Sequence, residues 1–233
     1  MAEQPDTESE DEAQDEQGDF ILPPGENLLM GSINSHPDLR SLHPPVVHMF
    51  RLWQFFLDNA NPLVKTFHAP TVQQIIIDAS GDLSSLTRPN EALLFSIYFL
   101  AIVSLKNEEC ETHFGEPRQT LLARYIRGIQ QALVNAKFLR SLNLTTLQAF
   151  VLYLIGSRTL YDAHTVWTLC GAVVRIAHRL GIHTDVGTAN LSPFDAEMRR
   201  RTWWQIVFLD GHASKLAGAP FPAVSVGFTS FCT

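Results

Sequence analysis

Two short runs hold most of the side chains that could do chemistry: Gly181-Ile182-His183 and Arg199-Arg200-Arg201-Thr202-Trp203-Trp204. Consecutive arginines suggest a phosphate clamp, paired tryptophans a stacking platform, and His178 with His183, or His43 with His48, a metal-binding pair. Spacing argues against each. Neighbours on a helix point about 100° apart, so Arg199, Arg200 and Arg201 cannot converge on one anion. Positive charge early in a helix also opposes the macrodipole. Acidic partners are therefore expected: Glu197 and Asp195 are close in sequence, and Asp162, Asp185 and Asp210 can be brought near by folding. Structural ion pairing is the reading, with ligand or nucleic-acid contact as the alternative. Trp203 and Trp204 must diverge, one into the core and the other against an adjacent helix; a large ring buries about 150–250 Å². Each histidine pair is five residues apart and shares no helical face, and no H-E-x-x-H spacing occurs. His183 beside a helix C-terminus reads as structural. Cys170 lies within an apolar stripe and reads as a small buried hydrophobe, not a nucleophile. No G-x-S-x-G elbow, P-loop or G-x-G-x-x-G turn is present, so no residue supports an enzyme.

These runs sit on two helices joined by a loop. In the first, Val166, Cys170, Val173, Ala177 and Leu180 recur at helical spacing, with Arg175 and Arg179 off the stripe. Gly181 stands where a helix ends in a left-handed residue. Ser192 opens the second as a capping box, with Pro193 at the first helical position and Asp195 three residues after the cap.

The pattern resembles a known family at this point. Gly171-Ala172 through Ala177, Leu180-Gly181-Ile182-His183, Glu197 with Arg199-Arg200-Arg201, Trp203-Trp204, Leu209-Asp210 and Gly218-Ala219-Pro220 look like the fungal-specific transcription factor domain. That domain is the middle homology region of the fungal binuclear zinc-cluster regulators. The resemblance covers residues 162–220 and reaches back more loosely to about residue 41. It departs at Ala219 and Gly211, where the family often has arginine. It implies a regulatory, non-catalytic domain acting on transcription in the nucleus. The family's DNA-binding element needs six closely spaced cysteines around two zinc ions. Cys110, Cys170 and Cys232 cannot supply it, so zinc, and DNA contact through it, is expected only from sequence outside these residues.

The 233 residues, 45% of them apolar, can bury one sizeable core. The longest apolar run, Ala92 to Val103, is too short to span a bilayer and contains Ser96 and Tyr98, so no membrane partner is expected. Nine of the 24 acids lie in residues 1–19, which contain no Lys or Arg; this leaves 15 acids against 17 bases. Residues 1–40 lack periodicity and read as a disordered acidic tail. Phe20-Ile21-Leu22 and Leu28-Leu29-Met30 within it read either as an activation segment for a coactivator or the transcription machinery, or as plain solvated linker.

Order is expected from His43. A helix over Val46–Leu57 places Val46, Phe50, Trp53 and Leu57 on one stripe, followed by a short helix over Val72–Ala79. Pro89 starts a helix to about Lys106 that is apolar all round and therefore central. Residues 107–116 read as a polar loop, and Pro117 opens a helix with Leu122, Tyr125 or Ile126, Ile129 and Leu133 inward. Thr145 to Gln148 read as a second capping box, before a helix buried on most faces. The fold class is thus all-α, one irregular domain of about six to eight helices over residues 41–220. The uncharged, β-branched segment 221–233 breaks the pattern and reads as a truncation or misplaced exon boundary, poorly packed, leaving apolar surface near Trp203 and Phe208 exposed. A small-molecule carrier or enzyme on a similar scaffold, and a gene fragment without activity, are the competing readings; a homodimer stays open.

Overall fold

The computed structural model describes residues 38–184 and 191–219. Residues 1–37, the loop 185–190 with Asp185, and residues 220–233 with Pro220 lie outside the described residues. Order begins earlier than His43. Asp38 caps α1 (Leu39–Leu42) by accepting from the Arg40 N–H at 3.1 Å, and Leu39 is buried.

Among the described residues the chain forms nine α-helices and no strand. After α1 come α2 (Val46–Phe55), α3 (Ala69–Gly81), α4 (Arg88–Val103), α5 (Asn107–Phe114) and α6 (Arg118–Asn135). Then follow α7 (Leu144–Ser157), α8 (Ala163–Arg179) and α9 (Pro193–Leu216). The two helices beyond the seven read along the sequence are α1 and α5.

The centre is α4. Every residue from Ala92 to Ile102 is buried, which is possible only for a helix enclosed on all sides. It lies between α6 and α7, with α2 across it. Glycines make the approach close: Phe95 of α4 sits over Gly128 of α6, and Phe99 sits over Gly156 of α7. Two rings one helical turn apart thus fill two backbone slots on different partners. The Arg118 guanidinium then donates to the Ile102 and Val103 carbonyls at 3.3 and 3.0 Å, placing positive charge at the C-terminus of α4.

Three local expectations are corrected. Residues 107–114 are helical, not loop. The Lys106 N–H donates to Glu109 at 2.8 Å, Glu108 and Glu109 favour the helix N-terminus, and Gly115 closes the helix at φ 71°. Its apolar content is only Cys110 and Phe114, four apart and both buried, too little for a periodicity signal. In α2 the inward stripe is Met49, Leu52 and Trp53, continuing to Phe56, while Val46 and Phe50 face out. The helix then passes into a π-helical turn at Phe56–Ala60, where Trp53, Phe56 and Phe67 stack. Helix α7 is capped by Asn143, which accepts from the N–H groups of Thr145 and Thr146 at 2.8 and 3.2 Å, so the cap precedes the expected box by two residues. From Thr146 to Ser157 α7 is buried throughout.

Candidate functional site

The Gly-Ile-His and Arg-Arg-Arg-Thr-Trp-Trp runs meet where α8 packs on α9. Val166, Cys170, Val173 and Ala177 of α8 are buried, while Arg175 and Arg179 face solvent. Gly181 has φ 69°, and the Ile182 N–H reaches back to the Ala177 carbonyl at 3.3 Å, a Schellman closure that only a residue tolerant of positive φ makes cheaply. At the start of α9 the Ser192 hydroxyl oxygen accepts from the Asp195 N–H at 3.1 Å, and its O–H donates to the Asp195 carboxylate at 2.6 Å.

The arginines separate as helical geometry requires. Arg199 donates to the Leu180 carbonyl at 3.1 Å, tying α9 to the end of α8. Arg201 pairs with Glu197 at 2.8 Å on the exposed face. Arg200 is exposed beside Trp204, one turn along. Trp203 is buried, with the His178 ring 5.7 Å and the His183 ring 5.9 Å away; the two histidine rings are 4.5 Å apart. Burial, then the neighbouring His183, pushes the His178 pKa down. Trp204 is 52% exposed, so it does not lie within the core as Trp203 does. Asp210 is fully buried on α9. Its field adds to burial in raising the Cys170 thiol to about 12, which leaves almost no thiolate at neutral pH. Gly218 takes φ 65° just after α9, and Pro220 lies outside the described residues.

Two features escaped the sequence. A buried polar cluster joins α7, α9 and the segment before α3: the Gln148 amide donates to the Thr66 carbonyl at 2.7 Å and to Thr202 at 3.3 Å. Gln148 stands out as a lone amide in an apolar helix, which was the available signal. The second is a groove of about 440 Å³ between the π-helical turn, the C-terminal ends of α4 and α7, and α9. Leu100, Val103, Ile155 and Leu209 make its floor, with Arg158, Gln205 and His212 among its polar groups. On its edge Leu63 is 80% and Phe208 64% exposed. Near Trp203, which is itself buried, the exposed large apolar side chains are Trp204 and Phe208.

These side chains form no nucleophile–base pair. Among the described residues no group of three or more His, Cys, Asp and Glu could hold a metal ion, and no helix is long and apolar enough to cross a membrane. What the geometry defines is a helical body built around α4, with an interface between its last two helices and a groove beside it.

This chain belongs to the fungal-specific transcription factor domain family, whose model matches residues 53–225. Its relatives include the aurofusarin cluster transcription factor aurR2 of Gibberella zeae, 49% identical over 177 residues, or 76% of this chain and 26% of that protein. The pyriculol/pyriculariol biosynthesis cluster transcription factor 1 of Pyricularia oryzae is 42% identical over 208 residues, 88% of this chain and 28% of its own. The transcriptional regulator AacuB of Aspergillus aculeatus is 39% identical over 192 residues, 82% of this chain and 26% of its own. The chain thus spans about a quarter of the length of these relatives. No solved structure gives a significant match.

Proposed function

We propose that this chain serves as a regulatory, non-catalytic domain of a fungal transcription factor acting in the nucleus. The observation that carries this is the family match over residues 53–225, together with relatives that are named as transcription factors and regulators. The domain's role is to control attached DNA-binding and activating segments through its packing, so that a partner favouring one arrangement shifts the population. DNA contact then belongs to a six-cysteine zinc-cluster element outside these 233 residues, and zinc enters only there. The acidic segment 1–40 engages a coactivator or the transcription machinery in this reading, and self-association as a homodimer is a further arrangement it admits.

The test is a reporter assay in a fungal host. The chain is placed between a heterologous DNA-binding domain and a constant activation segment, and output is compared with the same fusion joined by a neutral linker. Altered output at equal protein level is the expected result. Equal output across growth conditions, with the fusion folded and nuclear, would refute the regulatory role.

A further inference from the structure

Two depressions adjoin on one face of the body and share Leu63 and Gln205 as a common wall. One is the apolar groove along α9, with Arg158 and His212 among its lining. The other, about 430 Å³, gathers Lys65, Arg200 and Arg201 beside Trp204. Among the described residues lining the two, Glu197 is the one acid, and Arg201 already engages it at 2.8 Å. The face therefore combines three exposed large apolar side chains, Leu63, Trp204 and Phe208, with more basic than acidic side chains among the described residues that line it.

The chain carries a segment of the opposite character. Residues 1–19 hold nine acids and no Lys or Arg, and they lead directly into Phe20-Ile21-Leu22. Between Leu22 and the start of the described body at Asp38 lie 15 residues. Extended at about 3.3–3.6 Å per residue they span roughly 50 Å. That is about three times the ~16 Å radius of gyration expected for a body of this size. A tether of that length exceeds the radius of the body.

We propose that Phe20-Ile21-Leu22 seat in the groove against Leu63 and Phe208, with the preceding acids lying over Lys65, Arg200 and Arg201. The contact is intramolecular and combines apolar insertion with charge complementarity, so added salt weakens it. While seated, the Phe20–Leu22 segment is unavailable to any other protein. The body thereby holds back the one stretch of its own tail that joins dense acidity to large apolar side chains. This stands apart from the regulatory reading above, since the contact exists or not whatever the chain does to transcription.

Paramagnetic broadening in the full chain tests it. Gly18→Cys carries a nitroxide in a Cys232→Ser background, where Cys110 and Cys170 are buried and escape labelling. At about 0.1 M salt, amide signals of Leu63 and of residues 200–212 should broaden, and the effect should not change on dilution. It should fade toward about 1 M salt, where the screening length falls from about 10 to about 3 Å. It should be lost in F20S/I21S/L22S and reduced in K65E/R200E, with the remaining spectrum unchanged. Absence of broadening at low salt, or broadening centred on another face, would overturn the proposal. So would broadening seen only when spin-labelled chain is mixed with unlabelled isotope-enriched chain, which would assign the groove to a second copy.

Discussion

Replacing Gly128 with alanine sets two effects against each other, and the structure says which wins. Alanine in a helix interior is favoured over glycine by about 0.5–1 kcal/mol. At Gly128, however, the new methyl carbon would stand 2.6 Å from both Cδ1 and Cε1 of Phe95. Ordinary carbon–carbon contact is about 3.5–4.0 Å, so the ring must retreat by about 1 Å. It has little room: Phe95 is fully buried, with the His43 ring 4.4 Å and the Tyr98 ring 6.0 Å from it. Overpacking of this kind costs typically about 1–3 kcal/mol, and a confined ring belongs at the upper end. Net destabilisation is therefore about 1–2 kcal/mol. At roughly 2–4 °C per kcal/mol for a domain of this size, the melting temperature falls by about 2–8 °C.

Gly211 is the matched control. It lies inside α9, and nothing stands within 4 Å of the place a methyl carbon would take, so Gly211→Ala keeps only the helix term and stabilises by about 0.5–1 kcal/mol. Calorimetry or circular-dichroism melting of the full chain, at fixed pH and protein concentration, reads both. The substitutions must move the melting temperature in opposite directions. A G128A protein melting at or above the parent would show that α4 and α6 are not in the close contact described.

The neighbouring tryptophans should differ as sharply. Trp203→Ala removes a buried ring and costs about 3–5 kcal/mol, whereas Trp204→Ala, at a half-exposed position, costs about 1 kcal/mol or less in denaturant titration. Equal losses would contradict the opposite burial of the two rings. Native-state alkylation of Cys170, followed by mass spectrometry, should proceed only through unfolding, because burial holds its thiol at about 12; modification at the rate of an exposed thiol would refute this. His178 gives a pH signature. Its folded pKa lies below the ordinary histidine value of 6.5, so the unfolded chain binds the extra proton and the neutral form stabilises the fold. That contribution is complete above about pH 6.5 and is lost as pH falls from there through the folded pKa. Melting temperatures of the parent and His178→Gln across about pH 5–8 should converge toward the acid end, and parallel curves would count against it.

Much of this fold could be read from single residues. Ser192, Pro193 and Asp195 marked the start of α9, Gly181 the end of α8, and the unbroken apolar run after Pro89 marked the central helix. These features are local, set by one cap, one backbone angle or one uniform composition. The misses are long-range. Met49 rather than Phe50 faces inward on the side of α2 whose Trp53 and Phe56 stack with Phe67 from a later segment. The helix at 107–114 rests on two buried side chains and a polar network that reads as loop. The groove belongs to four separate segments and has no motif in any of them.

The Arg-Arg-Arg-Thr-Trp-Trp run gains meaning from that last point. Arg199 reaches the Leu180 carbonyl, Trp203 packs on the imidazoles at the end of α8, and Thr202 joins Gln148 and Thr66 beneath α9. Each bond fixes the position of α9 from the inside, through side chains that a ligand would not meet. A helix fixed at residues 199–203 must present its next turns in a defined direction, because about 3.6 residues per turn leaves no freedom once the axis is set. Those turns carry Trp204, Gln205, Phe208 and His212, the wall of the groove. The buried members of the run therefore position the groove wall. A substitution such as Thr202→Val, which removes the hydroxyl at the centre of the buried cluster, should disturb the groove face without touching it. Loss of tail-induced broadening at residues 204–212 in that variant, with the α4–α6 signals unchanged, would show the coupling directly. Unaltered broadening would mean that the groove is set by α4 and α7 alone.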